Sequence, residues 1–351
     1  MQITWVTALL NWFQLHQREL PWRQTKDPYA IWVSEIMLQQ TRVETVVPYY
    51  RRFLERFPTV EHLAKAQIDE VLKLWEGLGY YTRAKNLHRA AQVIQQEYQS
   101  VFPRSHPEVL ALPGIGDYTA GAIMSIAYGQ PFPAIDGNVL RVIARLQLIQ
   151  KDISLPQTKT EVAAFLKGVF PLEQASDFTQ ALMELGALVC LPMTPKCTLC
   201  PIQVHCQAKQ RNMQQELPIK SKKTLPKREK RYLAIIQQGD KILMNKRPMA
   251  GLLGGLWEFP GVESKNKQDF VQNFKRQFGL TIIPKVHKLD TSHVFSHRIW
   301  EMKVYHSELV SGEVTTAADL HWIPVDQLNT IAIPSAFQKI KDSLLLGGKL
   351  C

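Results

Sequence analysis

The feature that most constrains this fold is a group of four cysteines near the middle of the chain. Cys190, Cys197, Cys200 and Cys206 follow the spacing C-x6-C-x2-C-x5-C. Four thiols so close together in a reducing compartment indicate a metal site rather than disulfides. Zinc sites usually pair two C-x2-C units, and only one occurs here, whereas iron–sulfur clusters tolerate other spacings. Spacing alone leaves both metals as alternatives, and Cys351 has no predicted role.

The first two hundred residues are predicted to be helical, and the remainder is predicted to be mixed. Apolar residues recur at helical spacing in 60–76, 83–98, 118–128, 138–149 and 160–170, with no convincing strand before 230. Strands are predicted at 232–237, 241–246, 303–309 and 321–324, and a helix at 270–278. We therefore predict an all-α domain over 1–210, a connector over 211–230 and an α+β domain over 231–351.

The net charge of +11 is concentrated in the connector. Residues 209–231 contain nine Lys or Arg, with Glu216 and Glu229 as the only acids. Such a segment is a solvated linker that could also lie near phosphates. The first residues lack a basic start and a small-residue cleavage site, so we expect no signal peptide. No apolar run reaches the roughly 20 residues that span a bilayer. We expect a soluble, monomeric cytoplasmic protein, associated with the nucleoid in a bacterium.

A glycine pair precedes one predicted helix, and an aspartate precedes another. In LPGIGDYTAG, residues 112–121, Gly114 and Gly116 allow a tight turn. The free N–H groups of the following helix would suit a DNA phosphate, although a plain turn between helices is the more frequent reason for such a pair. Asp136 lies about twenty residues further on, where it could cap a helix beginning near Asn138.

Glu35 interrupts an apolar helix face. Residues 27–43 are predicted to form one helix after an Asp-Pro start, with Ile31 and Leu38 on the same face as Glu35. A carboxylate at that position is either paired structurally or tuned for chemistry. Partial burial would raise its pKa, which suits a general acid near neutral pH.

Together, the glycine pair and the aspartate resemble the helix-hairpin-helix superfamily of DNA glycosylases. The cysteine spacing resembles its endonuclease III family, in which these cysteines hold a 4Fe–4S cluster. The resemblance implies that residues 190–206 form a loop that meets the DNA backbone. Lys196 is either a phosphate contact there or a surface lysine without a role. It also implies that Asp136 faces the flipped nucleotide, and a helix N-terminus would keep this side chain charged.

The segment WVSEIMLQQT, residues 32–41, resembles the signature of family members that act on adenine. The resemblance implies that Glu35 protonates the adenine, while Asp136 stabilises positive charge at C1′. Some relatives carry a lysine that attacks C1′; this chain has Tyr118 at that position, so no Schiff base can form. We expect a monofunctional enzyme with water as the final nucleophile, and a covalent intermediate remains open. Tyr118 and Asn138 complete the predicted catalytic group.

Chemistry on a stacked base requires that the base be flipped out of the duplex. The resemblance implies that Gln40 and Tyr80 intercalate into the duplex. Tyr80 could equally be a packed aromatic residue. The other residues predicted to contact DNA or adenine in the first domain are Trp22, Arg23, Leu38, Thr41, Gly114, Gly116 and Gln180.

The second domain resembles a Nudix hydrolase that has lost its metal site. GLLGGLWEFPG, residues 251–261, matches the opening of such domains. Nudix enzymes then need several acids to hold Mg²⁺, and only Glu263 and Asp269 follow. In adenine-specific relatives this domain checks the opposite base, 8-oxoguanine. The resemblance places Phe295, Ser296 and His297 in the recognition loop, with a plain strand end as the alternative.

We therefore predict a helix-hairpin-helix glycosylase fold with an iron–sulfur loop, followed by an α+β Nudix-like domain. The expected reaction, in base excision repair, hydrolyses the N-glycosidic bond of adenine opposite 8-oxoguanine or guanine in double-stranded DNA. One alternative, a thymine or oxidised-pyrimidine glycosylase with lyase activity, is disfavoured by Tyr118 and Glu35. A non-catalytic DNA-binding or nucleotide-sensing protein is a second. A Nudix hydrolase is a third, disfavoured by the missing acids.

Overall fold

The computed structural model describes residues 4–221, 225–314 and 319–345. Cys351 lies outside this part of the chain. The protein divides into two compact units. The first, the helical unit, contains Met1–Lys65 and Asn86–Lys222. The second, the mixed unit, contains Ala66–Lys85 and Lys223–Cys351, so it includes a segment of the predicted helical domain.

Up to residue 210, the regular secondary structure of the described residues is entirely helical. Trp5, Leu9, Val139, Ile143 and Phe178 are among the side chains of one helical core. In the described residues, no helix is long and apolar enough to cross a membrane. The helices up to residue 210 are α1 (Thr4–His16), α2 (Pro28–Leu38), α3 (Val43–Arg56), α4 (Val60–Lys65), α5 (Ile68–Leu74), α6 (Thr82–Glu97), α7 (His106–Ala111), α8 (Asp117–Ala122), α9 (Gly137–Leu146), α10 (Pro156–Val169), α11 (Ala175–Leu188) and α12 (Gln207–Gln210).

Helix α2 begins where the sequence predicts but ends earlier. The Asp27 side chain caps it by accepting a hydrogen bond from the Tyr29 N–H at 3.0 Å. The prediction of one helix over 27–43 is wrong, because α2 ends at Leu38 and α3 begins at Val43. Gln40 has φ 58°, and this left-handed backbone cannot continue a right-handed helix. The predicted helix over 60–76 is likewise two helices, α4 and α5.

In the part of the mixed unit that the structure describes, the strands form two four-stranded sheets. In the first, the order is β5-β1-β7-β6, with β1 and β7 parallel and the other neighbours antiparallel. In the second, β3 pairs with β2, β4 and β8. Two clusters of buried apolar side chains fill this unit. The strands and remaining helices are β1 (Lys227–Ile235), β2 (Gln237–Gln238), β3 (Lys241–Lys246), β4 (Trp257–Glu258), β5 (Gly261–Glu263), α13 (Lys267–Phe278), β6 (Thr281–Val294), β7 (Arg298–Ser311), β8 (Leu320–Pro324) and α14 (Gln338–Leu345).

Sequence periodicity missed one long strand and shortened others. Strand β6 was not predicted, because its side chains are mostly exposed or half-buried and three register shifts break its pairing with β7. Strand β1 begins at Lys227, inside the predicted connector, where basic residues conceal the strand pattern. The predicted hairpin at 238–240 is confirmed, with Gly239 in the left-handed region at φ 62°.

Candidate active site

One cavity in the helical unit brings together all four predicted catalytic residues. We call it the carboxylate cavity, and its volume is about 170 Å³. Helices α2, α8, α9 and α11 contribute to its wall, so Glu35 and Asp136 share one space despite their separation in sequence. The predicted residues that line it are Trp22, Arg23, Glu35, Leu38, Thr41, Tyr118, Asp136, Asn138 and Gln180.

Glu35 lies in the wall of this cavity and is 4% exposed. The Tyr118 hydroxyl donates a hydrogen bond to Glu35 Oε2. Burial raises the pKa of Glu35 from 4.5 to about 7; the nearby Asp136 also raises it, whereas Tyr118 and Arg23 lower it. A carboxyl group with a pKa near neutrality can donate a proton and later accept one.

Asp136 is the N-cap of α9, as the sequence predicted. Its Oδ1 accepts the Val139 N–H at 2.7 Å, and its Oδ2 accepts Asn138 Nδ2 at 2.7 Å. Burial raises the pKa of Asp136, while the bonds from Val139 and Asn138 and the charge of Arg141 lower it. The net upward direction differs from the sequence argument, which considered the helix terminus but not burial. Arg141 also fixes Asn138, donating to its Oδ1 at 2.8 Å.

A third carboxylate in the cavity was missed from the sequence. Glu184 on α11 is 1% exposed and accepts paired hydrogen bonds from Arg18 and Arg23. Burial raises its pKa, but the hydrogen bonds from the two guanidinium groups outweigh burial and lower the pKa to about 2. The available signal was its position in the apolar run ALMELGAL, four residues after Gln180.

Gln180 is held by its neighbours on one side of the cavity. Its Nε2 donates to Ser176 Oγ at 3.2 Å, and Lys26 Nζ donates to the same oxygen at 2.7 Å. Trp22, which is buried, packs edge-on against Tyr50 with ring centroids 5.4 Å apart. Both residues therefore have their side chains fixed by protein contacts.

The glycine pair lies outside the cavity, in the turn before α8. Gly114 has φ 78°, and a Cβ there would lie 2.5 Å from Asn86 Cβ, so this position requires glycine. Gly116 is the N-cap of α8, which contains six residues and leads into a π-helical turn over Ile123–Ala127. The predicted phosphate contact at this turn stays a prediction.

The two predicted intercalating residues share an unusual backbone. Gln40 in the helical unit and Tyr80 in the mixed unit have φ 58° and 47°, which L-amino acids rarely adopt. Both are exposed, and the Tyr80 side chain is 48% exposed. Gln40 lies in the turn between α2 and α3, and Tyr80 lies between α5 and α6; their intercalation stays a prediction.

The mixed unit brings Tyr80 to the predicted recognition loop. The β6–β7 turn contains Phe295, Ser296 and His297, and the Tyr80 and Ser296 hydroxyl oxygens lie 2.8 Å apart. A cavity of about 390 Å³, the reading pocket, adjoins this contact. It is lined by residues 79–82, 85, 251–254, 293–298, 334 and 335.

The four cysteines surround one small cavity in the helical unit. All are free and half-buried, and the cavity has a volume of about 30 Å³. Arg145 Nη1 donates to Cys190 Sγ at 3.3 Å. Among residues 4–221, 225–314 and 319–345, no three His, Cys, Asp or Glu side chains are arranged to hold a single metal ion. A zinc ion would need its ligands 2.0–2.3 Å from one point, whereas a polynuclear cluster needs thiolates set further apart.

Two sequence profiles match the chain. That of the HhH-GPD superfamily of base excision DNA repair proteins matches residues 33–171, and that of the NUDIX domain matches residues 231–343. The adenine DNA glycosylase of Homo sapiens is 33% identical over 395 aligned residues, covering 95% of this chain and 72% of the human protein. This chain belongs to the adenine DNA glycosylase family.

A second relative agrees with that membership, and a solved structure shares the fold of part of the chain. The adenine DNA glycosylase of Buchnera aphidicola subsp. Baizongia pistaciae is 32% identical, covering 95% of this chain and 94% of its own length. A solved structure of a thermostable thymine-DNA glycosylase has 30% identity and a TM-score of 0.55, covering 59% of this chain and 96% of that one. The second similarity extends over the helical half, where the fold is shared.

As a member of the adenine DNA glycosylase family, the protein is a hydrolase of the N-glycosidic bond in base excision DNA repair. The predicted helix-hairpin-helix fold and the predicted C-terminal Nudix-like domain are confirmed. The predicted roles of individual residues, the identity of the base opposite adenine and the domain limits stay predictions.

Proposed function

We propose that this adenine DNA glycosylase releases adenine paired with 8-oxoguanine or guanine in double-stranded DNA. The observation that carries the proposal is the shared cavity of Glu35 and Asp136, with burial raising the pKa of Glu35 to about 7. A group that is half-protonated near neutral pH suits the proton transfer that turns adenine into a good leaving group.

The two carboxylates divide the chemistry between them. Glu35 donates its proton to N7 of adenine while the C1′–N9 bond breaks, and the bonding electrons leave with the base. Asp136, negative at its helix N-terminus, stabilises the positive charge that develops at C1′. A water oxygen then bonds to C1′, and its proton passes to the carboxylate of Glu35. Tyr118, which hydrogen-bonds Glu35, supplies no amine, so the strand is left uncut.

The opposite base is read by the mixed unit. The turn bearing Phe295, Ser296 and His297 adjoins the reading pocket and meets Tyr80. Hydroxyl and imidazole groups can bond the extra oxygen and N7–H of 8-oxoguanine. Gln40 and Tyr80 enter the duplex and replace the stacking of the flipped base, and the exposure of both residues supports this role.

A 4Fe–4S cluster is held by Cys190, Cys197, Cys200 and Cys206. The four thiols border one cavity, and their spacing resembles that of the endonuclease III family, which favours a cluster over zinc. When bound, the cluster fixes the loop over residues 190–206, and Lys196 in that loop is a phosphate contact. The remaining proposals are two domains, over 1–210 and 231–351, joined by a basic linker over 211–230, a monomer, and a cytoplasmic location at the nucleoid.

Single-turnover release of adenine from duplexes with 8-oxoguanine, guanine or thymine opposite tests the catalytic proposal. Glu35→Gln and Asp136→Asn should abolish release while leaving duplex affinity near the parent value. Glu161→Gln removes an exposed carboxylate of the same unit and should behave like the parent. Release at the parent rate by either cavity variant, or equal loss of DNA binding, would refute the roles. Borohydride should trap no covalent DNA adduct.

The same assay tests the reading loop. Ser296→Ala combined with His297→Ala should lower the preference for 8-oxoguanine over guanine, with release from adenine:guanine duplexes unchanged. Unchanged preference would remove the loop from opposite-base recognition.

A further inference from the structure

We propose that Glu229 is a positioning residue that holds the β6–β7 turn in place and thereby sets selectivity for the opposite base. The inference rests on the proposed function of that turn. Glu229 is one of two acids in the basic segment 209–231, and the sequence gives it no role. In the mixed unit it lies on β1 and is 7% exposed.

The Glu229 carboxylate bonds two residues of β7 that follow the turn. Its Oε2 accepts the Trp300 Nε1–H at 3.0 Å, and its Oε1 accepts Arg298 Nη1 at 3.2 Å. In the parallel pairing of β1 and β7, Glu229 stands directly opposite Trp300. A buried charge satisfied by two donors fixes the geometry of both partners.

Those two partners contact the turn itself. The Trp300 ring packs edge-on against Phe295 with centroids 4.8 Å apart, and the Arg298 carbonyl accepts the Phe295 N–H at 2.8 Å. The backbone N–H of Lys227, also on β1, donates to the His297 carbonyl at 3.1 Å. Strand β1 therefore holds the turn in two ways. Its backbone bonds the end of the turn at His297. Its Glu229 bonds two residues that contact the start of the turn at Phe295.

Loss of the Glu229 charge would release the turn rather than unfold the sheet. A glutamine at this position keeps one acceptor oxygen but loses the charge and the second acceptor, so it cannot bond both donors. Arg298, whose side chain is 43% exposed, can then move into solvent. The ladder of backbone hydrogen bonds between β1 and β7 would remain. The Ser296 side chain would then adopt several orientations, of which the one toward Tyr80 is only one.

The same two strands provide a matched control on their other face. Glu301 on β7 pairs with Arg228 on β1, and neighbouring side chains along a strand point to opposite faces. Glu301→Gln therefore removes one carboxylate paired with one arginine between these strands, but it does not touch the turn.

The test compares Glu229→Gln with Glu301→Gln by two measurements on the full-length protein. The first is hydrogen exchange of the Phe295 amide, which Glu229→Gln should accelerate about tenfold and Glu301→Gln should leave unchanged. The second is the ratio of adenine release from 8-oxoguanine and guanine duplexes under limiting enzyme. Glu229→Gln should reduce this ratio about tenfold while the rate on guanine duplexes stays constant.

A double substitution separates positioning from general destabilisation. In the Ser296→Ala/His297→Ala background, Glu229→Gln should cause no further loss of selectivity, whereas an unspecific stability defect would add to it. Arg298→Met, at a half-exposed side chain, should cause a smaller loss of the same sign if Glu229→Gln fails to fold. Parent-like exchange and parent-like selectivity in either variant would overturn the inference.

The outcomes also distinguish this inference from the function on which it rests. If the Ser296→Ala/His297→Ala variant retains full selectivity, the proposed reading loop is wrong, and the selectivity role of Glu229 is wrong with it. If that variant loses selectivity while Glu229→Gln keeps it, the loop assignment stands and the positioning role is wrong. In both cases, hydrogen exchange of the Phe295 amide tests whether Glu229 holds the turn in place.

Discussion

Replacing Glu35 by Gln should stabilise this enzyme while it removes activity. Glu35 is buried, and its pKa of about 7 in the folded protein compares with 4.5 in its ordinary state. Burial disfavours the charged carboxylate, so the folded protein carries a cost whenever this group ionises. Glutamine has nearly the same shape, can accept the bond from Tyr118 and never ionises.

The magnitude follows from proton linkage. The difference between 7 and 4.5 is 2.5 pKa units, which at about 1.4 kcal/mol per unit gives about 3 kcal/mol. Because the pKa of Glu35 is raised in the folded protein, the contribution of this group to the free energy of unfolding is fully favourable below pH 4.5 and is lost as the pH rises to about 7. The advantage of Glu35→Gln should therefore be absent in acid, grow through that interval and become constant above it.

Glu184 is a control of opposite sign in the same cavity. Two arginines lower its pKa from 4.5 to about 2 despite its burial, so its stabilising contribution is present above pH 4.5 and is lost as pH falls through 2. Glu184→Gln should therefore destabilise the protein at neutral pH by about 3 kcal/mol.

Urea unfolding measures the stability change of both variants. It is followed by the circular dichroism of the helices and repeated in mildly acidic to mildly alkaline buffers. Comparing slopes as well as midpoints separates a change in stability from a change in the unfolded state. A Glu35→Gln protein no more stable than the parent in alkaline buffer would refute the reasoning. A gain that does not vary with pH would refute it equally.

Two other predictions concern Tyr118 and the four cysteines. Tyr118→Phe removes a hydrogen bond that lowers the pKa of Glu35, so the alkaline fall in the rate of adenine release should move up by about one pH unit. The control Tyr128→Phe removes a hydroxyl bonded to the Phe102 carbonyl and should leave the alkaline fall in rate where it is in the parent. If the fall does not move in the Tyr118→Phe protein either, the role of Tyr118 is contradicted. Cys200→Ser should lose the yellow-brown colour and the bound iron, while Cys351→Ser keeps both; stoichiometric zinc in a colourless parent protein would overturn the cluster proposal.

Local chemistry was readable from the sequence wherever a residue acts through its immediate neighbours. Asp27 and Asp136 cap the helices that follow them, and Gly114 has the left-handed backbone that its turn requires. The turn at Gly239 was recognised for the same reason. In each case the interaction spans only a few residues of chain, so pattern and structure coincide.

Contacts between distant segments were not readable. Nothing in the sequence joins Glu184 to Arg18 and Arg23, or Glu229 to Trp300, yet these bonds determine charge and orientation in the two sites. The segment Ala66–Lys85 was assigned to the helical domain because it is helical, but it belongs to the mixed unit. There, Glu76 accepts the Ile333 N–H at 3.0 Å, a partner far along the chain.

The sequence alone determined the residue types for proton transfer, the spacing of the four thiols and the order of helical and mixed segments. These properties depend on covalent neighbours and on periodicity. Only the tertiary structure decided that Glu35 is buried deeply enough to raise its pKa to about 7 and that Asp136 faces the same cavity. The physical reason is that desolvation depends on every atom around a group, and folding brings most of those atoms from remote parts of the chain.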